Sequence, residues 1–259
     1  MNYTITKDNF IKQILIWQKE YNIFSCKKGK DGFIWEEVDI KNFSMQPLIS
    51  IIPPTKKFFL PNNEILFNFV FNKIIIKENI KPLILLGLSG LDLKAISLLD
   101  KVLANDHYYQ TNRQRSITIG VGSQISDEKC DIFIQNLIDS YQIIINSDKA
   151  QKIISKNLYH KNPDTFCSKI KITDPLFSNQ EKLVKAIKAS INDKIWDELA
   201  ETCLGCGICS YVCPLCYCFS LEDQIDLDNK ICSKDCQFCS GSRVRKWDSC
   251  MLPHFSQVA

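Results

Sequence analysis

Residues 203–219 read CLGCGICSYVCPLCYCF, six cysteines in seventeen residues. No other stretch limits the fold as tightly, because thiols at this density either pair as disulfides or hold metal. The compartment decides between the two. The N-terminus, MNYTITKDNFIKQ, has no basic start followed by an apolar run, so no secretory signal is expected. The greasiest window, FNFVFNKIII, is interrupted by Asn68, Asn72 and Lys73, so no transmembrane span is expected. The expectation is a cytoplasmic chain with reduced thiols, whose clustered cysteines point to metal or redox work.

The spacing sharpens this. Cys203-x2-Cys206-x2-Cys209-x3-Cys213-Pro214 is the bacterial ferredoxin pattern of a [4Fe–4S] cluster. Three thiolates two residues apart wrap one face of a cubane. Gly205 and Gly207 let the backbone curl so that its N–H groups turn toward sulfur. Pro214 then leads the chain away. In two-cluster ferredoxins the fourth cysteine ligates the other cluster. Zinc knuckles instead use two separated C-x2-C pairs. A second group comprises Cys216, Cys218, Cys232, Cys236, Cys239 and Cys250. Both a further iron–sulfur cluster and a structural zinc site stay open for it. Cys232-x3-Cys236-x2-Cys239 also has the spacing of radical S-adenosylmethionine enzymes, but fewer than 30 residues follow Cys232, too few for the barrel that motif opens.

Cysteine use divides the chain. Only Cys26, Cys130 and Cys167 precede residue 200, and they read as small buried hydrophobes. The expected architecture is α+β: a mixed α/β domain over residues 1–195, then a small ferredoxin-like cysteine-rich domain over 196–259. With 45% apolar and 24% charged residues, the first part can build a core without staples. A net charge of +3 gives no case for a nucleic-acid partner.

Within the first part, Thr6 caps a helix running to about Tyr21, with Phe10, Ile14 and Trp17 on one face. FIWEEV and the run after Pro54 read as short strands, and KKFFLPNNEILF bends at its Pro and Asn residues. LILLG (83–87), LDLKAISLLDKVL and SITIGVG (116–122) form a βαβ unit. Its helix presents Leu91, Ala95, Leu98 and Val102 on one face, with Leu99 and Leu103 beside it. YQIIIN is a further strand leading into a helix near 149–158, and helices over roughly 179–191 and 193–201 run into the cysteines. The turn Gly87-x-x-Gly90 matches neither G-x-G-x-x-G nor a P-loop, so it reads as a tight turn rather than a phosphate cradle. His107, His160 and His254 are isolated and read as surface residues. No catalytic residue is expected.

WDELAETCLGCGICSYVCPLCYCFSLED and RVRKWDSCMLPHFSQVA resemble the iron–sulfur subunits with a 4Fe-4S dicluster domain. That family includes the beta subunits of cytosolic nickel–iron hydrogenases (sulfhydrogenases) and the electron-entry iron–sulfur subunit of anaerobic sulfite reductase. KKFFLPNNEILF is similar to the family's Phe-Leu-Pro-x-x-Glu element, and GLSGLDLKAISLLDKV to its Gly-x-Arg-Pro-Cys-Asp-x-x-Ala-Ile helix start, so the resemblance covers most of the chain. Three departures stand out. Leu88-Ser89-Gly90-Leu91 replaces the family's Val-Arg-Pro-Cys. The family continues with a second C-x2-C-x2-C-x3-C-P motif where this sequence stops at Ala259, so the chain reads as C-terminally truncated. The Cys232, Cys236, Cys239 group is richer in cysteine than the hydrogenase pattern.

The resemblance implies an electron-transfer subunit of a multisubunit oxidoreductase, relaying electrons between a nickel–iron hydrogenase and a flavin- or NAD(P)-binding subunit. Anaerobic sulfite reductase is the second reading. A zinc-stabilised interaction module is a reading of another class.

Overall fold

The computed structural model describes residues 2–30, 32–43, 45, 54–70, 73–76, 81–122, 129–161, 179–226 and 240–257. In chain order it begins β1 (Asn2–Thr6), α1 (Lys7–Trp17), β2 (Asn22–Lys28), β3 (Phe33–Glu37), β4 (Asn63–Val70), β5 (Lys73–Ile75), β6 (Leu83–Leu88) and α2 (Gly90–Val102). It continues α3 (His107–Gln114), β7 (Ser116–Val121), β8 (Ile132–Asn136), β9 (Ser140–Ile145), α4 (Asp148–Ile153), β10 (His160–Lys161), α5 (Gln180–Ala189) and α6 (Ile195–Thr202). The last elements are α7 (Ile208–Val212), β11 (Phe219–Ile225), β12 (Ser240–Trp247) and α8 (Pro253–Ser256).

Two sheets result. The larger has the order β10-β1-β9-β8-β7-β6-β2-β3. Its centre, β2-β6-β7-β8, is parallel, and antiparallel strands close both sides. Parallel strands covered on both faces read as near-continuous apolar runs. β6 (LILLGL) and β7 (SITIGV) are such runs, and they pair with Leu83 opposite Ser116 and Leu85 opposite Thr118. The expected βαβ unit is therefore present. One face packs Ile5, Phe10, Ile14 and Trp17 against Ile84, Ile119 and Ile143. The other packs Phe59, Leu60, Leu85, Leu93, Leu99 and Trp247 together.

Local chemistry sets the helix ends. Thr6 Oγ1 accepts from the Asn9 N–H, and α1 buries Phe10, Ile14 and Trp17 as expected, stopping at Trp17. The segment expected as one helix near 149–158 is two pieces, α4 and a 3-10 turn at Lys156–Leu158. The Ser155 N–H leaves the helical ladder to reach Gln13 Oε1 at 2.9 Å.

Two further expectations need correction. The helix α2 turns a different face to the core: Leu93, Ala95, Ile96 and Leu99 are buried, whereas Leu91 is 65% exposed and Leu98 and Val102 also face solvent. Apolar residues occupy two neighbouring rows of this helix, so periodicity alone does not choose between them. Its N-terminal tether does, because Thr55 Oγ1 donates to Asp92 Oδ1 at 3.0 Å and fixes the roll. The run after Pro54 opens as a 3-10 turn over Thr55–Phe58 and becomes a strand only at Asn63. Phe59 and Leu60 are wholly buried just before Pro61, so the chain dips into the core before it can pair.

The second sheet, order β11-β12-β4-β5, joins the two ends of the sequence. β12, from the cysteine-rich part, pairs along β4 from Ser240 opposite Val70 to Lys246 opposite Asn63. A Cβ at Gly241 would lie 2.3 Å from the Gln224 carbonyl oxygen, so only glycine fits this crossing. Arg245, 2% exposed, locks the ladder: it donates to Glu64 and to Asp106 at 2.5 Å each. Trp247 Nε1 donates to the Leu60 carbonyl at 2.7 Å.

Candidate metal centre

Helix α6 ends at Cys203, whose N–H still bonds the Ala200 carbonyl at 3.1 Å. The chain then turns through Gly205 at φ +61° and Gly207 at φ +71°, both left-handed. Gly207 starts the five-residue helix α7, which carries Cys209 and ends at Cys213. A Cβ at Gly207 would also press to 3.1 Å from Ser249 Cβ. The curl brings the Gly205 N–H to 3.4 Å from Cys203 Sγ, and the turn after Pro214 brings the Leu215 N–H to 3.4 Å from Cys213 Sγ. N–H groups aimed at sulfur are what a ligating thiolate needs to hold negative charge.

The thiols fall into two sets. Cys203, Cys206, Cys209 and Cys250 are exposed, whereas Cys213, Cys216 and Cys218 are half-buried. Burial pushes the Cys213 thiol up, but the Leu215 N–H, the Cys216 side chain and the Cys216 N–H outweigh it, and Cys213 lies below its usual range. Burial and the neighbouring Cys213 raise Cys216. Cys232, Cys236 and Cys239 lie outside the described residues, as does Cys167. Among the described residues no three His, Cys, Asp or Glu side chains converge on a single-ion site. Cys26 and Cys130 are buried, as expected.

Behind the loop lies a floor that sequence reasoning missed. The Lys56 ammonium donates to the carbonyls of Ser210 at 2.9 Å and Cys216 at 2.7 Å, and stands 4.4 Å over the Trp247 ring. Burial pushes Lys56 below its usual value, and the thiols of Cys216, Cys213 and Cys218 draw it back up. Ser210 and Ser249 hydroxyls share a buried hydrogen bond of 2.8 Å. Tyr211 OH donates to the Trp247 carbonyl at 2.9 Å, and the Asp248 N–H to the Cys218 carbonyl at 3.0 Å. Trp247 and Ser249 sit in the RVRKWDSC stretch, whose motif is visible in the sequence although its part in the floor is not. Lys56 carries no signal, since a Lys-Lys pair beside an apolar run reads as solvated charge.

The turn at Gly87–Gly90 is filled by the chain itself. Ser89 and Asp92 form a capping box, with the Asp92 carboxylate 3.1 Å from the Ser89 N–H. That carboxylate takes the place an anion would need. His107, His160 and His254 are exposed, and His254 lies 3.2 Å from Asp248.

Residues 202–259 match the 4Fe-4S dicluster domain family. The chain is also 29% identical over 272 residues to "Sulfhydrogenase 2 subunit beta" of Pyrococcus furiosus, an alignment spanning 92% of this chain and 75% of that protein. No solved structure matches it. The resemblance read from the cysteine motifs and upstream elements is borne out, and the chain is an iron–sulfur protein. The residues present fit such a group: the candidate donors are all cysteine sulfur, backbone N–H groups point at Cys203 and Cys213 Sγ, and left-handed Gly205 and Gly207 curl the chain between Cys203 and Cys209. Among the described residues no helix is long and apolar enough to cross a membrane.

Proposed function

We propose that this chain is the electron-transfer subunit of a cytoplasmic multisubunit oxidoreductase. It relays electrons between a nickel–iron hydrogenase and a flavin- or NAD(P)-binding subunit. The observation that carries the reading is the curled Cys203–Cys213 loop, its thiols at the surface and its inner face docked on Lys56, Trp247 and Ser249. The similarity to a sulfhydrogenase beta subunit favours the hydrogenase partner over the sulfite reductase one.

In this reading Cys203, Cys206, Cys209 and Cys213 hold a [4Fe–4S] cluster in a ferredoxin-like wrap, and the group supplies one-electron chemistry when bound. The chain's own residues do the rest. The Gly205 and Leu215 N–H groups stabilise thiolate charge, Gly207 sets the direction of α7, and the Ser210–Ser249 pair fixes the loop's height. Residues 196–259 are the cluster-bearing unit and residues 1–195 the scaffold, joined through the β12–β4 ladder. Cys216, Cys218, Cys232, Cys236, Cys239 and Cys250 supply a further iron–sulfur or zinc site.

The test is iron, acid-labile sulfide and zinc per chain after anaerobic reconstitution, followed by co-purification with the candidate catalytic partner. About four iron and four sulfide per cluster, with a brown chromophore, are expected. Zinc without sulfide would leave only an interaction module. Capture of a sirohaem protein instead of a nickel protein would move the assignment to sulfite reductase.

A further inference from the structure

Lys56 has an environment that the proposed ligands alone do not explain. The residue is 2% exposed, and among the described residues no carboxylate pairs with it. A buried cation is costly unless a counter-charge or a full set of acceptors compensates it. Two carbonyls, of Ser210 and Cys216, and the face of Trp247 supply part of that compensation. The Cys216 carbonyl that Lys56 holds belongs to a candidate ligand, and Cys213 and Cys218 stand within three residues of it on the same loop. Neutral thiols give an ammonium no counter-charge, whereas metal-ligated thiolates do. Among the described residues the ammonium meets two carbonyls and a ring face but no carboxylate, and a metal-bound thiolate loop above it would supply the counter-charge.

The scaffold fixes where this charge sits. Lys56 stands on the 3-10 turn Thr55–Phe58, which is tied to α2 by the Thr55–Asp92 bond and to the core by Phe59 and Leu60. Its ammonium therefore comes from the large sheet's side of the molecule and reaches up under the cysteine loop, across 154 residues of sequence to Ser210 and 160 to Cys216.

We propose that Lys56 is the counter-cation of the sulfur centre: it positions the loop through the Ser210 and Cys216 carbonyls, and its fixed charge raises the reduction potential of the group that Cys213, Cys216 and Cys218 flank. This rests on the iron–sulfur reading above. Uptake of one electron makes such a group more negative by one charge and moves no proton, and Lys56 is a monocation before and after. Coulomb attraction therefore favours the reduced form over the oxidised one. Lys56 is a positioning residue, so its signature is a potential rather than a loss of ligands.

The experiment compares the full chain with Lys56→Met and Lys56→Arg after anaerobic reconstitution, each titrated with dithionite and followed by electron paramagnetic resonance. Iron and sulfide are measured on the same samples. At equal iron content, Lys56→Met is expected to become half-reduced at a more negative potential than the parent, and Lys56→Arg to return toward it. An unchanged potential in Lys56→Met would overturn the proposal. If Lys56→Met takes up no iron, hydrogen exchange on the metal-free chains decides. Faster exchange over residues 207–218 with unchanged exchange in β6, β7 and β8 supports the clamp, and unchanged exchange over 207–218 refutes it. Absence of iron and sulfide from the parent chain would instead remove the iron–sulfur reading, and the same exchange comparison would still test the clamp.

Discussion

Leu85 and Cys206 show how differently two regions of this chain are built. Leu85, on β6, is wholly buried between parallel partners, and its neighbours Leu93, Leu99 and Phe133 come from elements that would assemble around any strand of this kind. Cys206 is exposed, stands between two left-handed glycines, and belongs to neither helix nor strand. The sheet is held by area removed from water. The loop is held by a few directed contacts on its inner side and by whatever its thiols bind. A region of the first kind specifies itself, while one of the second kind is completed by a ligand.

The largest effect that would break this comparison is at the ligands. Cys206→Ser is expected to lose most of the reconstituted iron while circular dichroism of the metal-free chain stays unchanged. Loss of the sheet's signal together with the iron would show that the two regions are not separable.

Next comes the joint between them. Arg245→Met leaves the half-buried carboxylates of Glu64 and Asp106 without their cation. It should cost roughly 3–5 kcal/mol in denaturant unfolding. A loss well under 1 kcal/mol would mean that β12 docks without the ion pairs.

Within the sheet region, Leu99→Ala should cost roughly 2–5 kcal/mol. Leu91→Ala, on the exposed face, should fall within about 0.5 kcal/mol. Reversal of that order would place the Leu91, Leu98 and Val102 face against the core instead.

A smaller effect than that of Leu99→Ala is expected at the loop's glycine. Gly207→Ala places a side chain at φ +71° and 3.1 Å from Ser249 Cβ. A penalty of about 1–2 kcal/mol is expected from the left-handed conformation, read as weaker cluster retention under chelator. Retention equal to the parent would show that the loop changes its curl freely.

Much of this architecture is legible in the sequence because it depends on local pattern. The α1 cap at Thr6, the apolar runs of β6 and β7, and the Cys203–Cys213 spacing each carry their signal within a dozen residues. What is not legible depends on partners far away along the chain. The roll of α2 needs the Thr55–Asp92 bond, and β12 cannot be placed beside β4 from either segment alone. Lys56 looks like a solvated charge because its acceptors lie more than 150 residues away. Glu64 and Arg245 each stand in stretches that carry the family resemblance, yet their pairing appears only in three dimensions. The same limit applies to the site. Ligand spacing can be read along the chain, while the floor that holds the ligands comes from the other end of it.

Hydrogen exchange of the full chain, metal-free and anaerobically reconstituted, separates a sheet that folds by itself from a loop completed by its metal. Protection over residues 203–218 is expected to rise on reconstitution while β6, β7 and β8 exchange identically in both forms. Equal protection of the loop without metal, or loss of protection in those strands when metal is removed, would contradict it.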